Sequence, residues 1–268
     1  MKERQKPIAA LAVFIVTIII NLLGVFGVFN STKMTDLFKE IPSFIAPASG
    51  TFVLLPIIYL LVLVALILPI IKSSDYNTKV ADSVSMLFIG ASLLSIAFTF
   101  SFVYRQLEIA AIFSLAIVVI FGMLINKLNK VHEKKHFFHQ LAFGLHFGWD
   151  FIFTFIVVGF MIINWDSSLN NGGNIWAGIA LTIIVLLVLL STFLLTNVAI
   201  IFPVVIVISG IYSNLLKTEY KTLQTFCLVS IAVLIIAFLI RLYMNHFKIV
   251  KEKDVLEEED ELENVILP

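Results

Sequence analysis

Residues 51–71 read TFVLLPIIYLLVLVALILPII, a stretch without a single charged side chain. A helix that crosses a bilayer needs roughly 20 apolar residues, because about 30 Å of hydrocarbon is covered at about 1.5 Å per residue. Working outward from this run, seven others of the same kind can be drawn, and the expected spans are 8–29, 51–71, 83–103, 107–126, 141–163, 175–195, 197–215 and 223–245. The whole chain agrees: 60% of its 268 residues are hydrophobic, 13% are charged, and the mean hydropathy is +1.05. The expectation is an all-α, polytopic membrane bundle of about eight helices over 1–248, followed by a charged, acidic tail over 249–268.

Charge distribution orients the bundle. Lys and Arg total 18 and balance 18 Asp and Glu, so nucleic acid is not an expected partner. Flanking loops on the N-terminal side hold Lys2, Arg4, Lys6, Lys72, Lys79, Lys127, Lys130, Lys134, Lys135, Arg241, Lys248, Lys251 and Lys253. The opposite side holds only Lys33, Lys39, Arg105, Lys217 and Lys221. The positive-inside rule then puts both termini in the cytoplasm, with an even number of spans. The apolar run from Ile8 to Phe29 exceeds a secretory h-region and lacks an A-x-A-like site, so it reads as a retained first span in a bacterial plasma membrane. Segments 30–50 and 164–174 are the long extracytoplasmic loops. Cys227, the one cysteine, sits in an apolar run and reads as a packing residue.

Few residues carry chemistry. His132-Glu133-Lys134-Lys135-His136 matches H-E-x-x-H, with His139 as a third imidazole, but two lysines beside a dication and a basic loop favour a solvated face over a metal site. Asp150 is more informative: a carboxyl near the middle of a span must face a cavity or a partner, or be protonated. His146 precedes it by one helical turn, where side chains meet. The pair either binds a polar ligand group, relays a proton, or only orders the bundle. Gly144 and Gly148 form G-x-x-x-G, which lets another backbone approach closely and offers a face for a homo-oligomer. Pro56, Pro69 and Pro203 lie in or at the ends of spans, where they bend helices. With no Walker-type loop, G-x-G-x-x-G or nucleophile elbow, no enzyme is expected.

The segment from Phe44 to Tyr59, FIAPASGTFVLLPIIY, resembles the Pro-Ala-Gly...Phe...Trp...Tyr signature of the TspO/translocator protein family, the tryptophan-rich sensory proteins. Pro47, Ala48, Phe52 and Tyr59 fall in place, and Phe147-Gly148-Trp149 and Trp176-Ala177 resemble further family stretches. Leu55 and Pro56 stand where the family pattern has Trp and Gly, and Ile206-Val207 stands for a Trp-Ala. The chain has 25 Phe but only 3 Trp. The resemblance implies a bundle with a cavity beneath the first loop that binds a hydrophobic small molecule, tetrapyrroles among them, without catalysis and with no resident cofactor. The expected ligand-binding residues are Pro47, Ala48, Phe52, Tyr59, His146, Trp149 and Asp150. A proton-coupled transporter using Asp150 and His146, and an accessory subunit of a membrane complex, are the alternatives.

Overall fold

A computed structural model describes residues 5–31, 33, 34, 36, 37, 44–72, 74–131, 137–166 and 173–249. The described residues are all-helical. Helix α1 is Gln5–Val25, α2 Leu54–Ile71, α3 Asp75–Val103, α4 Leu107–Asn129, α5 Phe138–Trp165, α6 Gly173–Leu194, α7 Ile201–Leu215 and α8 Lys221–Met244. Short 3-10 turns, Ser49–Val53 and Val198–Ile200, lead into α2 and α7. All eight helical segments are long and apolar enough to cross a membrane. The protein is a multi-pass membrane helical bundle. The His132–His136 stretch, the middle of the 164–174 loop and the tail from 250 onward lie outside the described residues.

Hydropathy alone starts the third span at 83, yet α3 begins at Asp75. Local polar chemistry explains the two extra turns. The Ser74 hydroxyl accepts the Asn77 N–H at 3.2 Å, Asn77 Nδ2 donates to the Lys72 carbonyl at 2.8 Å, and Asp75 favours the positive end of the helix dipole. Across the same end, Lys6 Nζ pairs with Asp82 at 2.7 Å and ties α1 to α3.

Inside a bilayer, burying Leu or Ile gains little over leaving it in lipid, so small and polar residues face inward. Helix α1 follows this rule: Ala10, Phe14, Thr17 and Gly24 are buried, while Ile8, Ile15, Val16 and Ile19 are exposed. A Cβ on Gly24 would lie 2.8 Å from Thr99 Cγ2, so α1 and α3 approach closely there. The first five helices form one group, with α1 on α2 and α3, α3 on α4, and α4 and α2 both on α5. Helices α6, α7 and α8 pack together on another side of α5.

The G-x-x-x-G face is used within the chain. A Cβ on Gly144 would meet the Asn197 side chain at 2.6 Å, and one on Gly148 would overlap the Ile200 carbonyl. Asn197 Nδ2 also donates to the Gln140 carbonyl at 2.8 Å, while its Oδ1 accepts the Ala199 N–H at 3.0 Å. The turn before α7 is therefore seated on α5, where the glycines leave no side chain in between.

A candidate ligand cavity

A cavity of about 400 Å³ opens in the half of the bundle nearest the first loop. Its wall takes Ile18, Asn21, Leu22 and Val25 from α1, Phe52 from the 3-10 turn, and Leu55, Pro56, Tyr59, Leu60 and Leu63 from α2. Ser95, Phe98 and Thr99 come from α3, Ser114 and Ile117 from α4, and Trp149, Asp150, Phe153 and Thr154 from α5; Met34 closes it from the loop. Small-molecule pockets fall at roughly 300–1,000 Å³, mostly apolar with a few placed polar groups, and this one has that character.

One end of the wall is aromatic. Trp149 stacks on Phe153 with centroids 4.3 Å apart, and Phe52 meets both rings, Phe153 at 5.3 Å and Trp149 edge-on at 6.1 Å. Such a surface favours a flat or apolar ligand body.

Two polar clusters complete the wall. On α1–α3, Thr99 Oγ1 donates to Asn21 Oδ1 at 2.5 Å, and Asn21 Nδ2 donates to Tyr59 Oη at 2.7 Å and to Ser95 Oγ at 3.3 Å. On α5, His146 Nδ1 lies 2.8 Å from Asp150 Oδ2, and Thr154 Oγ1 donates to the Asp150 carbonyl at 2.7 Å. With the carboxylate ionised, Nδ1–H is the donor, which fixes the imidazole against Asp150. The ring is further held between Phe121, stacked at 4.5 Å, and Tyr59, stacked at 5.8 Å. Tyr59 thus joins the two clusters, its hydroxyl in one and its ring face against the other.

Of the sequence-derived site residues, Phe52, Tyr59, Trp149 and Asp150 share this cavity. His146 stands behind it and reaches it through Asp150. Pro47 and Ala48 do not line it. Their segment is clamped onto α7, with the Ala48 N–H donating to the Gly210 carbonyl at 3.1 Å and Asn214 Nδ2 donating to the Ala46 carbonyl at 3.0 Å. Thr51 occupies the space that a side chain on Gly210 would need. Ala46, Ala48 and Thr51 thus hold the segment on α7, and Phe52, next along the chain, lines the cavity. Leu55 and Pro56, the departures from the signature, are wall residues.

Asn21, Ser95 and Thr99 were missed by the sequence reading. Each is a small polar residue alone in an apolar run, a signal no stronger than that of a helix-packing residue. His139 serves elsewhere: it is buried between α2 and α3, with Nε2 at 3.1 Å from the Ala65 carbonyl and Nδ1 at 3.3 Å from Tyr76 Oη. Among the described residues no three His, Cys, Asp or Glu side chains gather as metal ligands would.

The sequence model of the TSPO-like protein family matches residues 7–240, all eight helices except the extreme ends. The chain belongs to the TSPO-like protein family. Searches of the curated proteins and of the solved structures yield no match.

Proposed function

We propose that this TSPO-like protein binds one apolar small molecule in the cavity without catalysis, its body against Phe52, Trp149 and Phe153 and its polar end at Asp150. The observation that carries this reading is the Asp150 carboxylate, oriented by His146 at 2.8 Å, on the wall of an otherwise largely apolar cavity. A carboxylate in such surroundings calls for a donor or a cation opposite it. Among the described residues, those lining the cavity include no Lys or Arg. A tetrapyrrole ring suits the aromatic wall and its ring N–H groups suit Asp150, whereas acidic substituents would find no basic partner among the described lining residues. The reading therefore favours a neutral or cationic ligand over an acidic one.

The test is tryptophan emission in mild detergent with Trp165 and Trp176 changed to Phe, so that Trp149 alone reports. Titration with a panel of hydrophobic amines, neutral sterols and porphyrins should quench it saturably for the first classes. The Asp150→Asn variant should bind amines roughly tenfold or more weakly, the factor expected when a charge-assisted hydrogen bond is lost. Unchanged emission and thermal stability across the whole panel would remove the proposal.

A second reading, proton-coupled transport, draws on the contact between His146 and Asp150, two ionisable groups inside a membrane span at a cavity wall. Proteoliposome uptake that ignores a proton gradient, or that Asp150→Asn leaves intact, would count against it. Both readings place the protein in a plasma membrane with its termini in the cytoplasm, supported by the excess of basic residues in the loops on that side.

A further inference from the structure

The inward stripe of α8 runs Leu223, Cys227, Ser230 and Leu234, then continues with Arg241 and Asn245. Arg241 is only 8% exposed and Asn245 only 2%. Arg241 makes no ion pair among the described residues. Its one side-chain hydrogen bond among the described residues is long, from Nη2 to the Phe193 carbonyl at 3.5 Å; its Cζ lies 5.0 Å from the centroid of the Phe193 ring, and its buried Nε has no acceptor among the described residues. One turn further on, both side-chain amide atoms of Asn245 are without partners. The inward stripe of α6 ends the same way: after Leu181, Ile184 and Val188 comes Thr192, 2% exposed, its hydroxyl also unpartnered. A buried guanidinium without a counter-charge, beside orphaned donors, is strongly unfavourable unless an anion completes it.

The geometry points to a binding site for a phosphate oxyanion at the Arg241 end of α8, of the kind an acidic phospholipid headgroup carries. Arg241 supplies a planar fork that matches phosphate; the Asn245 amide one turn on, and the hydroxyl of Thr192, the neighbour in sequence of the Phe193 that Arg241 touches, supply further neutral donors. The depth fits a headgroup. Arg241 sits in the last turn of a spanning helix, where acyl chains give way to the interface. Exposed apolar Leu194, Tyr243 and Met244 flank it, a surface for acyl chains that a free ion would not use. At the α6–α7 turn, Asn129 Nδ2 donates to the Leu195 carbonyl at 2.7 Å and so brings the end of α4, with exposed Lys127 and Lys130, to the same end of the bundle. This site is separate from the cavity and does not depend on the ligand proposed there.

The experiment compares full-length protein in nanodiscs of phosphatidylcholine alone and with phosphatidylglycerol added, reading Tm, and uses native mass spectrometry to count retained lipid. Wild type should melt higher with phosphatidylglycerol and retain it roughly fivefold over Arg241→Met, the factor one basic residue contributes at a membrane surface. Asn245→Leu, which keeps the charge and loses the amide, should give an intermediate value and guards against a folding defect in the first variant. If inorganic phosphate in detergent reproduces the rise in Tm and Arg241→Met abolishes it, the site stands and its source is the free ion. A rise that survives in Arg241→Met overturns the site. So does a melting temperature indifferent to both anions, or one that shifts only when residues 250–268 are removed.

Discussion

Pro69 leaves a backbone acceptor bare in α2, and His139 of α5 supplies the missing donor. Proline has no N–H, so the carbonyl of Ala65, four residues earlier, has no partner within its own helix. His139 Nε2 reaches that carbonyl at 3.1 Å, and since a carbonyl only accepts, Nε2 carries a proton; Nδ1 lies 3.3 Å from Tyr76 Oη. One side chain so joins α2, α3 and α5.

His139→Leu should destabilise the bundle by about 1 to 3 kcal/mol, the cost of a buried carbonyl left without a donor. Adding Pro69→Ala restores an N–H to α2, and the double variant should recover most of that loss. Thermal melts of the four proteins in one detergent give the coupling directly. Simple additivity of the two changes would show that the carbonyl is not what connects them.

Gly148→Ala should be far more harmful than an average surface change, because the new methyl overlaps the backbone of Ile200 and no rotamer can move it aside. A loss of about 1 to 3 kcal/mol is the range for overpacking a tight contact. Gly178→Ala is the control. Its Cβ would meet only the Phe226 ring at 3.5 Å, ordinary contact, so its Tm should stay near wild type.

Asn21→Leu removes the centre of the α1–α3 cluster, taking partners from Thr99, Tyr59 and Ser95 together. Interhelical hydrogen bonds in membranes average roughly 0.6 kcal/mol, so the summed loss is about 1 to 2 kcal/mol. Ligand quenching of Trp149 should weaken with it. Thr17→Val, whose hydroxyl bonds Val13 and Ser92 carbonyls away from the cavity wall, should lower Tm without touching the quenching.

Topology is open to labelling. In a Cys227→Ser background, a cysteine at Ser31 should react with an impermeant maleimide added to intact cells, and one at Lys130 only after the membrane is opened. The reverse pattern would invert the orientation drawn from the loop charges.

The bundle was legible in the sequence because each span is a near-continuous apolar run, a signal that depends on composition alone. Asp150 and His146 were legible as well: an ionisable residue in a span is rare, and their spacing of four puts them together on any helix. The cluster of Asn21, Ser95 and Thr99 was not: Ser95 and Thr99 are one turn apart on α3, but Asn21, which joins them to Tyr59, lies on another helix 74 residues from Ser95. His139 shows the same limit in reverse. Grouped by proximity in sequence with His132 and His136, it is in fact paired with Ala65 and Tyr76, more than sixty residues away. Pro47 and Ala48 match a family signature, yet what they do depends on Gly210, on a helix whose distance from them no pattern in the chain records.

Gly148 and Asp150 are two positions apart on α5, about 200° around a helix of 3.6 residues per turn, and so they point to opposite sides. One side is pressed to the backbone of Ile200 and the other presents a carboxylate to the cavity. Helix α5 is thus a party wall, bare where it meets Ile200 and carboxylate-bearing where it meets the cavity. With no side chain at Gly148, the backbone of α5 lies directly against that of Ile200, so the cavity wall and the α6–α8 half of the protein meet with nothing in between.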